Sequence, residues 1–387
     1  MKRKFFSGIF TAALFTGMLF LTGCFNLTDE VKAAMANGAV FSNFYRTLDT
    51  APFQTTAFNI PQGIRKIGNH AFSGNTEIHT VTIPEGVTVI GETAFFDCSN
   101  LESLTIPASV TTIGDGAFTG VKSIRLAPGN RNFTLTDSGA LIDNNKRRLL
   151  YYPPAQGKII LPENISAIGD QTFAFCNKLT AVVLPEGITA IGEEAFHACT
   201  GLEEINLPDS IRIIDNHAFA WCIKLHKITL PPNLQTIGNG AFAWCSAIKE
   251  LRIPENVTSI GSEAFMVCSS LTEVCIPRGV KIIRQDAFNG CTSLKTLMIP
   301  PGVREIHSGA FAVCTKLTSV TFPAGLTSIN HSAFVACGKL AEARFPASLR
   351  FIGQESFSRT ALKSVEIPDK ATVKADAFPP KCKIIRK

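Results

Sequence analysis

The apolar positions of this chain recur on a fixed step. From Pro162 onward the pattern Leu-Pro-x-x-Ile-x-x-Ile-Gly-x-x-x-Phe-x-x-Cys-x-x-Leu returns every 23 residues, marked by Pro162, Pro185, Pro208, Pro231, Pro254, Pro277, Pro300, Pro323 and Pro346. The same phase appears upstream at Pro61, Pro84 and Pro107, and a last step of 22 leads to Pro368. About thirteen units with degenerate ends therefore cover most of the chain. Phenylalanine forms a second column at Phe72, Phe95, Phe118, Phe173, Phe196, Phe219, Phe242, Phe265, Phe288, Phe311, Phe334 and Phe357, with isoleucine five residues before each. A period of 23 residues lies in the leucine-rich-repeat range. One such unit cannot bury its own apolar side chains, but stacked copies share a continuous core.

Each unit is expected to supply one short strand. Leu271-x-x-Val274-x-Ile276 and Leu294-x-x-Leu297-x-Ile299 carry the alternation of a half-buried strand. Copies about 4.8 Å apart pair these strands into a parallel sheet, placed on the concave side, and proline closes each strand because it has no N–H to give. After the isoleucine comes Gly68, Gly91, Gly114, Gly169, Gly192, Gly238, Gly261 or Gly353, a column that predicts positive φ. Asp215, His307 and Asn330 in the same slot fit that reading, whereas Arg284 does not. The stretch after each Ala-Phe pair, such as residues 264–268, is expected to make a short helical or 3-10 turn on the convex side. The predicted fold is thus a β-rich leucine-rich-repeat solenoid.

The first residues follow another rule. Lys2, Arg3 and Lys4 precede an apolar stretch at residues 5–21, and Leu21-Thr22-Gly23-Cys24 follows at once, the layout of a secretion signal. That run resembles the bacterial lipobox, which implies lipidation of Cys24 and cleavage just before it. The alternative is an uncleaved membrane anchor, since the stretch nearly spans a bilayer, but that gives no reason for the cysteine. The expected organisation is a signal peptide at 1–23, a lipidated N-terminus, linker and N-cap at 24–59, and repeats at 60–126. A non-repeat island follows at 127–160, then repeats with a C-terminal cap at 161–387. Asp137-Ser138-Gly139 is a turn signal within the island, which is read as a hairpin extending the solenoid edge rather than as a binding loop.

Composition adds little and excludes more. Phenylalanine supplies 29 of the 34 aromatic residues, as a repeated slot requires. The formal charge of +6 falls to +3 without Lys2, Arg3 and Lys4, leaving 34 basic against 31 acidic residues and no case for nucleic acid as a partner. No like-charge run is longer than Lys146, Arg147 and Arg148, which are read as a solvated turn. Nine of the twelve cysteines, Cys98, Cys176, Cys199, Cys222, Cys245, Cys268, Cys291, Cys314 and Cys337, share one repeat column. That spacing makes them small buried hydrophobes, not disulfide partners or ligands of a metal, for which Cys-x-x-Cys pairs are missing. Cys275 and Cys382 lie outside the column and read as free thiols, too many repeats apart to bond each other. No nucleophile has an evident histidine and carboxylate set and no phosphate loop appears, so neither catalysis nor a cofactor is expected.

Two surfaces are candidates for binding. Between the apolar positions of the expected strands lie Glu204 and Asn206, Lys227 and Thr229, Glu250 and Arg252, Glu273 and Cys275, Thr296 and Met298, Ser319 and Thr321, and Glu342 and Arg344. Solenoids bind partners on such faces, although alternating charge equally serves cross-strand pairing on a solvated sheet. The second is the slot before the cysteine, which holds Phe175, Trp221 and Trp244. Tryptophan is enriched at binding hot spots, but Val267, Val313 and Ala336 share the slot and point to partial core burial.

The pattern Ile-Pro-x-x-Val-x-x-Ile-Gly-x-x-Ala-Phe-x-x-Cys-x-x-Leu, intact at residues 253–271, resembles the treponemal-type repeats of BspA-like leucine-rich-repeat surface lipoproteins. The resemblance spans about residues 60–387, and an island with paired aromatics such as Tyr151-Tyr152 is familiar there. It implies a monomeric, lipid-anchored envelope protein that binds host matrix or other bacterial surfaces. The alternative is a structural surface antigen or periplasmic scaffold without a tight ligand. Phe25 after Cys24 does not resemble the aspartate retention signal, which leans towards the outer membrane.

Overall fold

The computed structural model describes residues 27–387, so the expected signal peptide at 1–23 and Cys24 lie outside the described residues. A helix at Asp29–Ala36, capped by the Thr28 hydroxyl on the Val31 N–H, precedes the first repeat. Beyond it the chain is a solenoid of stacked repeats.

Each repeat supplies two strands rather than the single one expected. The first, as in Glu250–Arg252, Glu273–Cys275 and Thr296–Met298, pairs in parallel with its neighbours at a constant 23-residue offset. A second, two-residue strand sits at the Ile-Gly end of the motif, as in Ile213–Ile214, Thr236–Ile237 and Ser259–Ile260, and pairs with its neighbours in the same way. The second residue of each such pair, Ile214, Ile237 or Ile260, is buried. Short β-branched segments at an invariant step satisfy their backbone groups across the stack, where two residues alone make no stable strand.

The third side of each repeat is not helical. In residues 263–268, Glu263 and Val267 take φ of 59° and 58°, a left-handed alternation that breaks any helical run. The N–H groups of Glu263, Phe265 and Val267 donate to the carbonyls of Gln285, Ala287 and Asn289 at 2.8, 2.8 and 2.7 Å. Within the repeat, only tight turns form, such as Met266 N–H to Glu263 carbonyl at 2.9 Å. The stretch is therefore a third ladder between repeats, because its donors are committed to the next copy instead of to the preceding turn.

The glycine column also has another cause than positive φ. None of Gly68, Gly91, Gly114, Gly169, Gly192, Gly238, Gly261 and Gly353 has it. A Cβ at Gly261 would lie 2.4 Å from the Asn239 nitrogen, and one at Gly238 would lie 2.5 Å from the Asn216 nitrogen. Close approach of the preceding repeat, not dihedral freedom, selects glycine here. Arg284 accordingly needs no left-handed conformation. Left-handed residues fall instead two before and two after each phenylalanine, Trp221 and Trp244 among them at 64° and 65°.

The core follows the ladders. From Phe173 to Phe357 successive rings stack at 5.0–5.5 Å, all of them fully buried. The thiols of Cys199, Cys222, Cys245, Cys268, Cys291, Cys314 and Cys337 each donate to the carbonyl of the phenylalanine 26 residues earlier, at 3.0–3.4 Å. Cysteine thus offers a weak donor as well as small apolar bulk.

Residues 127–160 splice two cores. Phe133–Leu135, Leu141–Asp143 and Arg148–Tyr151 form an antiparallel meander, whose last strand pairs in parallel with Ala167–Ile168. Gly139, at φ 80°, makes the first turn. Tyr151 closes the first phenylalanine ladder edge-on against Phe118 and donates its hydroxyl to the Val121 carbonyl at 2.9 Å. Its neighbour Tyr152 turns to the other core and packs on Phe173 at 5.2 Å. Alternation along one strand sends consecutive aromatic rings to opposite cores.

Candidate functional site

The sequence-derived face falls on the exposed side of the first sheet. Glu204, Asn206, Lys227, Thr229, Glu250, Arg252, Glu273, Cys275, Thr296, Met298, Ser319, Thr321, Glu342 and Arg344 are all exposed. Buried Ile205, Leu251, Val274, Leu297 and Val320 alternate with them, so the period of two fixes which side chains face outward.

Charge along this face is not uniformly compensated. Lys227 donates to Glu204 at 2.8 Å, and that hydrogen bond and the ammonium charge hold the Glu204 carboxyl below its ordinary value. One repeat further, Glu250 stands directly opposite Glu273 in register, with no cation bonded to either side chain among the described residues. Like charges on adjacent strands about 4.8 Å apart disfavour each other. On the same strands Arg252 faces Cys275, which faces Met298, and Met298 is 81% exposed. Among the described residues, an acidic pair without a cation, a guanidinium without a partner and a bare thioether thus share one patch. The sheet pairing is interrupted between Lys227–Ile228 and Glu250–Arg252, at the edge of that patch.

Trp221 and Trp244 stack face to face at 4.4 Å and 5°. Trp221 is 43% exposed and Trp244 is half-buried, so the pair lies at the surface of the turn ladder with one ring partly covered. Phe175 does not join them. Its ring lies edge-on to His197 at 5.6 Å and to Phe96 at 6.2 Å, because Ala198 occupies the slot between.

Burial separates the cysteines chemically. It pushes the thiols of Cys98 and Cys291 up to about 12 and those of Cys199, Cys222, Cys245 and Cys268 well above the ordinary range. Cys275 is exposed. Since the thiolate is the nucleophile, iodoacetamide at pH 8 is expected to alkylate Cys275 first among the described cysteines. The buried column should stay unlabelled until the chain unfolds. Peptide mass spectrometry along a labelling time course reads this directly, and early labelling of Cys245 would contradict it.

Arg148 was the residue that sequence reasoning missed. It is not a solvated turn residue like its exposed neighbours Lys146 and Arg147, but bridges Asp115 of the first repeat block at 2.5 Å and Asp170 of the second at 2.6 Å. Burial raises the Asp170 carboxyl to about 6 against the opposing pull of Arg148. Nothing in the run Lys-Arg-Arg marks this role, because the two aspartates lie 33 and 22 residues away.

The description "BspA type Leucine rich repeat region" matches residues 51–148, 147–272 and 258–385 in six copies. The chain belongs to this family. None of the curated proteins matches this BspA-type chain. Among solved structures it is similar to a leucine-rich repeat protein from Bacteroides ovatus, with 27% identity over 88% of this chain and 87% of that one, at a TM-score of 0.53. A leucine-rich repeat protein from Eubacterium ventriosum shares the fold at 22% identity over 68% and 78% of the two chains, at a TM-score of 0.57. A BspA-type solenoid of stacked parallel strands is suited to protein–protein contact. Among the described residues no helix is long and apolar enough to cross a membrane.

Proposed function

We propose that the chain is a non-catalytic envelope lipoprotein, held at the membrane through Cys24, whose first sheet binds a protein partner during adhesion to host matrix or to other bacterial cells. The observation that carries the reading is the patch of Glu250, Glu273, Arg252 and Met298. Two carboxylates in register without a cation among the described residues, beside an 81% exposed methionine, form a surface that gains from being covered. A partner presenting a basic group to the glutamates and an apolar side chain to Met298 relieves the repulsion and removes the thioether from water. The secretion signal and Leu21-Thr22-Gly23-Cys24 support export and anchoring, and the outer membrane or cell surface is the location this reading favours.

Binding of the lipid-free chain to immobilised matrix proteins and to whole bacterial cells tests it. A variant with Glu250, Arg252, Glu273 and Met298 replaced by serine is expected to lose at least about tenfold in affinity, the scale of a hot-spot cluster, while keeping its melting temperature. Absence of saturable binding by the unaltered chain would favour a structural antigen. Binding equal in both proteins would place the partner elsewhere on the solenoid.

A further inference from the structure

The ladder on the third side of the solenoid runs from repeat to repeat, thins at the C-terminal cap, where only the Phe357 N–H reaches Ala377, and opens fully where the two blocks meet. Upstream, the N–H groups of Thr93, Phe95 and Asp97 donate to the carbonyls of Asp115, Ala117 and Thr119 at 2.8 Å each. Downstream, those of Gln171, Phe173 and Phe175 donate to Glu193, Ala195 and His197 at 2.8–2.9 Å. At the junction between them, among the described residues, the corresponding donors Gly116, Phe118 and Gly120 reach no carbonyl, and the carbonyls of Thr172 and Ala174 accept nothing. The two walls touch through the Thr119 hydroxyl on the Gln171 carbonyl at 3.2 Å. Beside that contact opens a cleft of about 480 Å3, a volume typical of small-molecule sites.

Its lining combines rings with unused polar groups. Phe96 and Phe175 meet edge to face at 6.2 Å, Phe175 is 50% exposed, and Tyr152 closes one end. Asp97, Gln156 and Lys178 also line the cleft, and their side chains make no hydrogen bond or ion pair among the described residues. One carboxylate and one ammonium cancel, which disfavours a ligand of either net charge. One wall offers a backbone donor and the other backbone acceptors, so the ligand has to donate and accept at closely spaced points. A hydroxyl does both. An extended peptide would offer the same duality, but the Thr119 hydroxyl already bonds one carbonyl of that wall, Gln171.

We propose that this cleft binds a saccharide residue. The apolar face of a neutral pyranose ring packs on Phe175 and Phe96, and its hydroxyls bridge the Gly120 N–H to the Thr172 and Ala174 carbonyls. Asp97, Gln156 and Lys178 take the outer hydroxyls. The site is separate from the exposed strand face and does not depend on the protein-binding reading.

Saturation-transfer difference NMR and calorimetry on the unaltered chain test it, with glucose, galactose, mannose, N-acetylglucosamine and their β-linked disaccharides as probes and inorganic phosphate beside them. At least one sugar is expected to bind saturably, with affinity reduced at least about tenfold in both Phe175→Ala and Gln156→Ala. Because both side chains are exposed, far-UV circular dichroism and melting temperature should stay unchanged, and the variant with four serines on the strand face should bind sugar normally. Lack of saturable sugar binding overturns the proposal. So does sugar binding that survives both substitutions, or binding of phosphate alone.

Discussion

Phe265→Ala is expected to destabilise the solenoid by about 4 kcal/mol, the scale for removing a fully buried ring. Phe265 is 0% exposed and sits between Phe242 at 5.5 Å and Phe288 at 5.3 Å. Truncation leaves a void with stacked rings on two sides, and neither ring can move in without leaving its own neighbour. Phe265→Leu keeps most of the volume and is expected to lose only about 1 kcal/mol. Urea denaturation followed by circular dichroism measures both. Because each repeat contacts only its neighbours, loss of cooperativity in the alanine variant is a further expected sign. A loss below about 1.5 kcal/mol for alanine would mean that the ladder closes over the gap instead of holding its close-packed spacing.

Arg148→Met should lower stability by about 2–3 kcal/mol at neutral pH, less than a fully buried ionic network would because all three partners keep some solvent contact. The methionine retains the apolar stem but leaves Asp115 and Asp170 facing each other without their shared cation. The pH dependence carries the diagnosis. Asp170 releases its proton at about 6 in the folded chain against an ordinary 3.8, so the folded state holds the extra proton between those values. Its contribution to stability therefore grows as pH falls from 6 towards 4 and is lost as pH rises through 6. Arg148 opposes that upward shift, and its removal pushes the carboxyl further up. The deficit of Arg148→Met is thus expected to narrow between pH 7.5 and pH 5, and an equal deficit at both would show that the bridge is not what Arg148 contributes.

The candidate face was legible because its determinants are local. A period of two along residues 250–252 and 273–275 decides which side chains point outward, and exposure of Glu250, Arg252, Glu273 and Met298 follows from it. That Glu250 stands against Glu273 while Glu204 gains Lys227 follows from the constant 23-residue offset. The second strand of each repeat was not legible, since two residues such as Ser259–Ile260 carry no periodicity of their own. The turn ladder reads as helical in the sequence because apolar residues at 265 and 268 fit an i, i+3 face. Only the neighbouring repeat reveals that the N–H groups of 263, 265 and 267 point away from it.

By itself, the chain of residues determined that the protein is a stack of equal units, that phenylalanine and cysteine line its interior, and which side of its strands faces water. Those properties repeat at a fixed step and arise from near neighbours, so sequence spacing is enough to state them. Tertiary structure alone decided what happens where the step fails. Tyr151 and Tyr152 turn to different cores, Arg148 finds two aspartates in different repeat blocks, and the third ladder opens into a cleft. Each depends on how an irregular stretch brings two regular stacks together, and contacts between residues without a common period leave no mark in the spacing of either.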